Sequence, residues 1–301
     1  MLPFKLVYSD DYYLPIGSHV FPAEKYKRIH DRLLASGIAE PADFVTPHPA
    51  ADQDVLIVHT PQYVEKLKTG TLSQREQMEL EVPFSPALVK AFWLAAGGSI
   101  LAADHALNDG MALSVGGGFH HAFPDHGEGF CLINDVAIAI RTLQREGVIR
   151  RAAVVDLDVH HGNGTAAIFQ GDPDVFTFSM HQQHNYPAWK PPSDLDIGLE
   201  DGTGDTEYLA LLEQHLPEIL ARHRPDLVFY LAGADPYRFD QLGGLGLTLE
   251  GLRRRDEVVF ERATNAGVAV AVSLAGGYAL SADDTVEIHC NTVRAAKEAR
   301  S

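Results

Sequence analysis

The sequence predicts an α/β fold with a single domain, in which helices cover both faces of a mainly parallel sheet in a three-layer αβα arrangement. Two observations predict it. Short runs rich in Val, Ala and Leu, such as Ala152–Asp158 and Leu227–Ala232, alternate with longer segments of helical periodicity, a pattern typical of parallel strands buried on both faces. No linker, low-complexity segment or internal repeat interrupts the chain, so residues 1–301 are interpreted as one domain.

In the first half of the chain, helix signals and short apolar runs alternate. Tyr26, Ile29 and Leu33 recur at helical spacing, and Gly37 follows as a stop signal. Residues 70–85 are polar and are interpreted as a loop that borders a site. The predicted elements are strand Phe4–Tyr8, helix Pro22–Ser36, strand Val55–His59, a helix beginning at Pro61, helix Pro86–Leu107 and strand Met111–Val115.

The second half repeats the alternation more regularly. The predicted elements are helix Asn134–Glu146, strand Ala152–Asp158, helix Thr165–Phe169, strand Val175–His181, helix Thr206–Arg222, strand Leu227–Ala232, helix Leu249–Ala266, strand Val268–Leu274 and a C-terminal helix. The acidic segment Asp194–Asp205 is interpreted as a rim loop, and Arg253–Arg255 as a solvated helix face.

Composition excludes several classes of protein. A net charge of −17 argues against a nucleic-acid-binding surface, which needs a basic patch. Two cysteines exclude a disulfide scaffold and a multi-cysteine zinc motif. Without an apolar run of membrane-spanning length or a signal-peptide pattern, we expect a cytoplasmic protein with no membrane span. Oligomeric state is not readable from the sequence.

The segment VVDLDVHHGNGT places acidic residues and an imidazole at the end of a predicted strand. Alternate residues of a strand share a face, so Asp156, Asp158 and His160 are predicted to project together. Two carboxylates and an imidazole make a divalent-metal half-site. Asp235, after strand Leu227–Ala232, supplies a third ligand to Asp158 and His160. Such a set leaves a position open for water, as in catalytic sites.

Two further strand ends carry residues suited to acid–base chemistry. His120 and His121 follow three glycines after strand Met111–Val115, and Tyr278 follows two glycines after strand Val268–Leu274. One imidazole can take a proton from an attacking water, and the tyrosine hydroxyl can donate to a developing oxyanion. A metal would polarise the amide carbonyl under attack. These parts predict hydrolysis of an amide; solvated loop histidines are the alternative.

With these residues in view, the chain resembles the zinc-dependent histone deacetylases of the arginase/deacetylase fold. The motifs GGGFHHA, GEGFCLINDVAIAI, DLDVHHGNG, AGADPY and LAGGY stand in the family's order, and the resemblance covers nearly the whole chain. DQLGGLGLTLEGLRRRDEVVF and SHVFPAEKYKRIHDRLL are most similar to the class IV branch and its bacterial relatives.

The resemblance implies a role for each site residue. Asp158, His160 and Asp235 are then the ligands of Zn²⁺, and Fe²⁺ suits the same set. His121 is the general base, His120 its more electrostatic partner and Tyr278 the residue that polarises the carbonyl. Asp156 is the partner of His120, and Asn163 stands beside His121, where many relatives carry an aspartate. An asparagine fixes the tautomer of His121 but supplies no charge.

The resemblance also implies a substrate channel and a structural cation site. Gly129 and Phe130 are expected to line the channel, with Tyr186 or Trp189 as the opposite wall and Leu242 where polyamine-specific relatives carry an acidic residue. The family's structural K⁺ site would use backbone oxygens around Asp156, Asp158 and His160, together with those of Ser179 and Met180.

The implied function is a metal-dependent deacylase that removes an acetyl or longer fatty acyl group. Its partner would be an acylated lysine protein or peptide, or a small acylated amine. Three alternatives remain: an acetylpolyamine amidohydrolase, an arginase-like two-manganese ureohydrolase and a catalytically silent binding protein of the same fold. The single Asp of AGADPY argues against the second, and the presence of every ligand and Tyr278 argues against the third.

Overall fold

The computed structural model describes residues 1–300, which form one eight-stranded sheet in which every strand pair is parallel. Ser301, the last residue of the predicted domain, lies outside the described residues. The strands are β1 (Lys5–Val7), β2 (Phe44–Val45), β3 (Met111–Ser114), β4 (Ala152–Asp156), β5 (Val175–Gln182), β6 (Leu195–Leu199), β7 (Leu227–Leu231) and β8 (Ala269–Ser273). Their order across the sheet is β2-β1-β3-β8-β7-β4-β5-β6.

Ten α-helices cover the sheet within the described residues. They are α1 (Lys25–Ala35), α2 (Asp52–Val55), α3 (Pro61–Thr69), α4 (Gln74–Leu80), α5 (Pro86–Asp109), α6 (Asp135–Arg145), α7 (Asn163–Phe169), α8 (Asp205–His223), α9 (Leu249–Ala266) and α10 (Ala282–Ala299). Helix α5 packs on α6 and on the strands around β3, whereas α8, α9, α10 and α1 pack in a row. Strands β3, β4 and β7 are buried along their whole length, so the core lies on both faces of the sheet.

The predicted α/β fold is therefore confirmed, and the strand order explains where a site forms. Strands β3, β8, β7 and β4 are immediate neighbours in the middle of the sheet. Their carboxyl ends lie at one edge, because all of them run parallel. Local signals agree with the chain's alternation. Helix α9, for example, begins after Thr248, whose side chain accepts from Gly251 N, and ends at Gly267 in the left-handed conformation.

The predicted strand Val55–His59 is wrong. Val55 ends helix α2, and the residues that follow form a turn. The Asp54 carboxylate accepts from Ala51 N and so stabilises the beginning of this short helix. A short apolar run cannot be assigned to strand or helix from periodicity alone, and the acidic residues before it were the informative signal.

Two other segments differ from the predictions because their signals are weak or were not used. The edge strand β6 lies within Asp194–Asp205, which was interpreted as a loop, and its residues alternate between partly buried and exposed. Helix α4 lies within the supposed loop 70–85. It begins at a capping box, in which Ser73 Oγ accepts from Glu76 N and the Glu76 carboxylate accepts from Ser73 N.

Helix α5 is long and apolar enough, by length and composition, to cross a membrane. Of its most apolar window, 72% is buried inside the protein. Gly97 and Gly98 lie where a side chain would collide with the loop at His48 and with the Tyr12 ring. The apolar character of α5 is accounted for by its position against the sheet and α6.

We expect acid to destabilise the fold partly through His59. This buried ring bonds Phe123 O through Nδ1 and accepts from Asn134 N through Nε2, and burial lowers its pKa from 6.5 to about 4. Because the folded pKa lies below the unfolded one, the stabilisation is complete above pH 6.5 and is lost as the pH falls through about 4. The loss can reach about 3 kcal/mol. Urea unfolding of His59→Gln between pH 4 and 8 should show a smaller loss with acid than wild type. If the free energy of unfolding fell with pH equally in His59→Gln and in the wild type, the prediction would be contradicted.

Candidate functional site

Four neighbouring strand ends bring the predicted residues to one buried chamber. The turn after β3 carries His120 and His121, the segment after β4 carries Asp158 and His160, and the loop after β8 carries Tyr278. All five line an inner chamber of about 20 Å³. Asp235 follows β7 and is fully buried beside Asp158 and His160. The structure thus brings together the six residues predicted as ligands and catalytic groups.

Asp158, His160 and Asp235 have the geometry of a metal centre. His160 Nδ1 lies 3.0 Å from Asp158 Oδ1 and 3.5 Å from Asp235 Oδ2, and the three ligand atoms all lie within 4.8 Å of one another. Asp235 Oδ2 is buried and has no hydrogen-bond partner. A buried carboxylate oxygen without a partner is costly unless a cation binds it. Two carboxylates, an imidazole and this oxygen therefore fit a divalent transition metal such as zinc.

The protonation of the cluster also indicates a site for positive charge. Burial and, to a lesser extent, the charge of Asp158 together raise the pKa of Asp235 to about 7. Burial opposes the charged form of His160, but the hydrogen bond with Asp158 and the charges of Asp158 and Asp235 raise its pKa to about 10. The pKa of Asp158 is lowered by His120 and His160 against the effect of burial. The carboxylates of Asp158 and Asp235 therefore stabilise positive charge at this position.

Asp156 does not project with the other two, contrary to the prediction from strand alternation. Strand β4 ends at Asp156, and the chain beyond it turns, so Asp158 and His160 reach the centre from a non-extended segment. Asp156 Oδ2 instead lies 2.7 Å from His120 Nδ1. Burial opposes the charge of His120, but Asp156 and Asp158 raise its pKa to about 9. His120 is thereby held as a cation.

His121 has the opposite electrostatic character. Its Nδ1 lies 2.7 Å from Asn163 Oδ1, which turns Nε2 away from this partner. Burial lowers its pKa well below 6.5, and the nearby positive charges of His120 and His160 lower it further. Two adjacent imidazoles therefore differ in charge: His120 is protonated, and His121 is neutral and able to accept a proton.

A channel of about 150 Å³ leads to the chamber, and all four predicted channel residues line it: Gly129, Phe130, Tyr186 and Leu242. His121, His160 and Tyr278 line both spaces and so lie between them. A Cβ on Gly129 would stand 2.8 Å from atoms of His121 and Tyr186, so only glycine leaves this wall open. Trp189 is 65% exposed and stacks on Phe123 at 5.6 Å, outside the residues that line the channel.

The segments predicted to hold a monovalent cation lie behind the centre. Asp156, Asp158, His160, Ser179 and Met180 are all buried on or after the neighbouring strands β4 and β5. Ser179 Oγ lies 3.0 Å from His181 Nδ1. His181, His161 and Asp196 form a second group of potential metal ligands, in which His161 Nε2 lies 3.1 Å from Asp196 Oδ1. The cation itself stays a prediction.

Sequence reasoning did not identify Lys25, although it lies beside the centre. Its side chain is fully buried at the beginning of α1, and Nζ donates to Ala275 O at 2.6 Å. The ammonium lies 6.0 Å from the centroid of the Tyr278 ring. Burial lowers its pKa to about 8, although Asp235 and Asp158 favour its charge. The sequence around Lys25 has the pattern of an ordinary amphipathic helix, and nothing in it indicates that this lysine is buried.

Other residues that position the site were missed or misassigned. Arg255, interpreted as part of a solvated face, is fully buried and donates to Leu157 O and to Gly233 O at 2.6 Å. It thus binds the backbone just before two of the ligands. Asp240 accepts from Tyr278 N at 2.6 Å, and Asp135 accepts from Phe119 N at 2.7 Å. Only the three-dimensional fold reveals these carboxylates, since an isolated Asp is usually a turn or cap residue.

Comparisons with known proteins agree with this site. A family model described as "Histone deacetylase domain" matches residues 19–293. Histone deacetylase 2 of Arabidopsis thaliana is 32% identical over 286 residues, 91% of this chain and 74% of that protein. A histone deacetylase-like amidohydrolase of Pseudomonas aeruginosa is 30% identical over 290 residues, which cover 88% of this chain and 76% of that protein.

An uncharacterized protein of Picosynechococcus sp. is 45% identical over 98% of this chain and 99% of its own length. Among solved structures, the HDA15 HD domain superposes with a TM-score of 0.82 over 98% of this chain and 88% of that chain, at 22% identity. This structural likeness shows a shared fold and confirms the predicted arginase/deacetylase-like architecture.

Metal binding should depend on Asp235 and not on the second group of potential ligands. We expect Zn²⁺ to raise the melting temperature of the wild-type protein, with about 2.7 kcal/mol of stabilisation at a hundredfold excess over Kd. Asp235→Asn should abolish this shift, because it removes the charge of a buried carboxylate whose Oδ2 has no hydrogen-bond partner. Asp196→Asn is the matched control and should keep the shift. Thermal unfolding and metal content after dialysis measure zinc binding in both variants. Loss of zinc binding in Asp196→Asn but not in Asp235→Asn would contradict the assignment and place the metal at the second group.

Proposed function

The chain belongs to the histone deacetylase family, and from this premise we propose that it is a zinc-dependent deacylase that acts on acylated primary amines. The family accounts for a deacetylase or amidohydrolase activity in general. The observation that carries the specific proposal is the convergence of His120, His121 and Tyr278 on the chamber beside the cluster of Asp158, His160 and Asp235.

Asp158, His160 and Asp235 are the residues that would hold the metal. When bound there, zinc would polarise an amide carbonyl and lower the pKa of water from about 15.7 towards about 7. Iron(II) suits the same donor set. The orphaned oxygen of Asp235 supports this assignment independently of the family.

His121 supplies the general base. Its ring is neutral and lines the chamber, and Asn163 accepts the Nδ1 proton, so Nε2 is free to accept the proton of the attacking water. His120 stays protonated through Asp156, and its positive charge stabilises the negative charge that develops on the substrate oxygen. After the tetrahedral stage, the proton held by His121 passes to the leaving amine.

Tyr278 supplies the hydrogen-bond donor for the oxyanion. Burial raises the pKa of this phenol, and the charges of Asp235 and Asp158 raise it further, so the hydroxyl keeps its proton. The bond from Tyr278 N to Asp240 fixes the loop that presents the ring. A donor held in place before the reaction needs no reorganisation as negative charge develops.

The dimensions of the chamber favour an acetyl group over the longer chains that class IV resemblance also allows. About 10–15 Å³ of free volume admits one water-sized group, and the inner chamber holds about 20 Å³. Phe119, Cys131 and Gly118 are among the residues that line it. An acetyl methyl fits this space, whereas each further methylene needs volume that the wall residues now occupy.

The channel leaves room for a second candidate substrate, a small acylated amine such as an acetylpolyamine. Glu81 lines the channel, and its carboxylate would attract a distal ammonium group. Leu242 lines the same space and is apolar where an acidic side chain would add to this attraction. An acetylated lysine peptide, whose side chain is apolar up to the amide, is therefore the substrate that the walls favour. We also propose that the protein binds a structural K⁺ and that it is cytoplasmic.

A substrate panel tests the proposal directly. Zinc-loaded protein should release amine from acetyl-lysine peptides faster than from octanoyl- or myristoyl-lysine peptides, and metal-stripped protein should release none. N-acetylated diamines in the same panel test the second candidate. His121→Ala should lower kcat by a factor of about 10²–10⁴, because the general base is lost. Quantifying the released amine measures every substrate on one scale.

The matched control is His184→Ala, which removes an exposed histidine that pairs with Glu200 at 3.6 Å. Its activity should equal that of wild type. A preference for myristoyl substrates would contradict the acetyl assignment but keep the hydrolase. Turnover that persists in His121→Ala, or absence of turnover on every substrate despite bound zinc, would contradict the hydrolase itself.

A further inference from the structure

Glu128 lies behind the general base at the end of an unbroken series of hydrogen bonds. Asn163 Oδ1 lies 2.7 Å from His121 Nδ1, and Asn163 Nδ2 donates to Glu128 Oε1 at 2.5 Å. The same oxygen accepts from the hydroxyl of Tyr186 at 3.1 Å. The base, its amide partner, a carboxylate and the channel wall therefore form one network.

The carboxylate determines which way the Asn163 amide points. The two ends of an amide are nearly equal in size, so partners decide its orientation. In the observed orientation, Oδ1 accepts the Nδ1 proton of His121 and leaves Nε2 without one. The reversed orientation would set Oδ1 against the carboxylate of Glu128 and would direct an N–H at His121 Nδ1. That arrangement would force the ring proton to Nε2, where a general base must have none.

Glu128 also brings negative charge to the base. Burial favours its neutral form, but the ion pair with His126 and the hydrogen bonds from Asn163 and Tyr186 lower its pKa below the usual value, so it is ionised at neutral pH. Its second oxygen lies 3.7 Å from His126 Nε2. The charge lies one amide group away from His121, close enough in a buried site to stabilise the imidazolium that forms as the base accepts a proton.

The chain geometry around Glu128 holds the network in place. Glu128 and Cys131 pair across a short bridge, and Gly129 N donates to Glu79 O at 3.2 Å. The ring of Tyr186 meets that of His121 edge-on, with centroids 5.0 Å apart. The side chain of Glu128 thus approaches Asn163 from a fixed turn.

We propose that Glu128 is a positioning residue for catalysis, which acts through Asn163 to orient His121 and to supply the charge that the asparagine lacks. The inference rests on the proposed function, since it concerns the base of that reaction. If it is right, catalysis needs one negative charge, at either position 128 or position 163 but not at both. A carboxylate at both would place like charges in contact, and a carboxylate at neither would leave the imidazolium without a partner.

Three variants of the zinc-loaded protein test this requirement on an acetyl-lysine peptide. Glu128→Gln keeps the shape of the side chain and should lower kcat about tenfold or more, as expected for a partner that orients a site residue, with KM changed less than twofold. Asn163→Asp should also lower kcat, because its carboxylate would meet that of Glu128. The double variant, which moves the charge next to His121, should recover most of the wild-type kcat.

The matched control is Glu79→Gln, since that side chain pairs with the exposed Arg75 and does not contact Asn163. Its kcat should not change, and zinc content and melting temperature should be equal in all variants. A merely structural role cannot produce recovery in the double variant. Wild-type activity in Glu128→Gln, or losses that multiply in the double variant, would overturn the inference alone. An inactive wild-type protein would instead overturn the proposed function and the inference with it.

Discussion

The repulsion between the buried carboxylates of Asp158 and Asp235 is the constraint on which the rest of the site depends. Both side chains are almost completely excluded from solvent. Like charges in such surroundings repel strongly and cannot both stay ionised without a compensating cation. His160 lies between them, and the buried ammonium of Lys25 lies behind the loop that presents Tyr278. The fold therefore surrounds a negative centre with cationic groups and leaves one carboxylate oxygen without a partner.

This arrangement requires backbone that cannot move apart, and buried polar groups hold it. Arg255 donates to carbonyl oxygens of the two segments that carry the ligands. Its neighbour Asp256 accepts from the hydroxyls of Tyr230 and Thr292 and from Arg255 itself. Strand β7, helix α9 and helix α10 are thereby joined through Asp256. Removing one member would leave another buried and unpaired, which costs more than the bond contributes.

These supporting groups mark the boundary of what the sequence could predict. Strands and helices with clear periodicity were recognised, and Leu249–Ala266 was predicted with both ends correct, because caps and glycine stops are local signals. The candidate metal ligands were recognised because polar residues directly follow apolar strands. Arg255, Lys25 and Glu128 were not, since each acts across the fold on residues far away in the chain. A charged residue on a helix is usually exposed, and nothing local distinguishes the exception.

The edges of the sheet were also unpredictable for a physical reason. Strands β2 and β6 lie at the two edges, where one side of each strand has no neighbour. β2 is only two residues long, and exposed residues interrupt the apolar pattern of β6. Register with the inner strand, rather than intrinsic preference, makes them extended. The candidate site was easier to predict, because it lies at the ends of the four innermost strands, which are almost entirely buried.

Glycine backbone forms part of the wall of the chamber. A Cβ on Gly276 would lie 2.1 Å from Asp235 Oδ2, and one on Gly118 would lie 2.7 Å from Ala275. The ligands and the chamber are thus packed directly against main chain. A wall of main chain cannot move aside by a change of rotamer, so the chamber cannot lengthen in these directions without moving β3 or β8. The proposed preference for an acetyl group then rests on the side chains among the remaining lining residues, including Phe119 and Cys131.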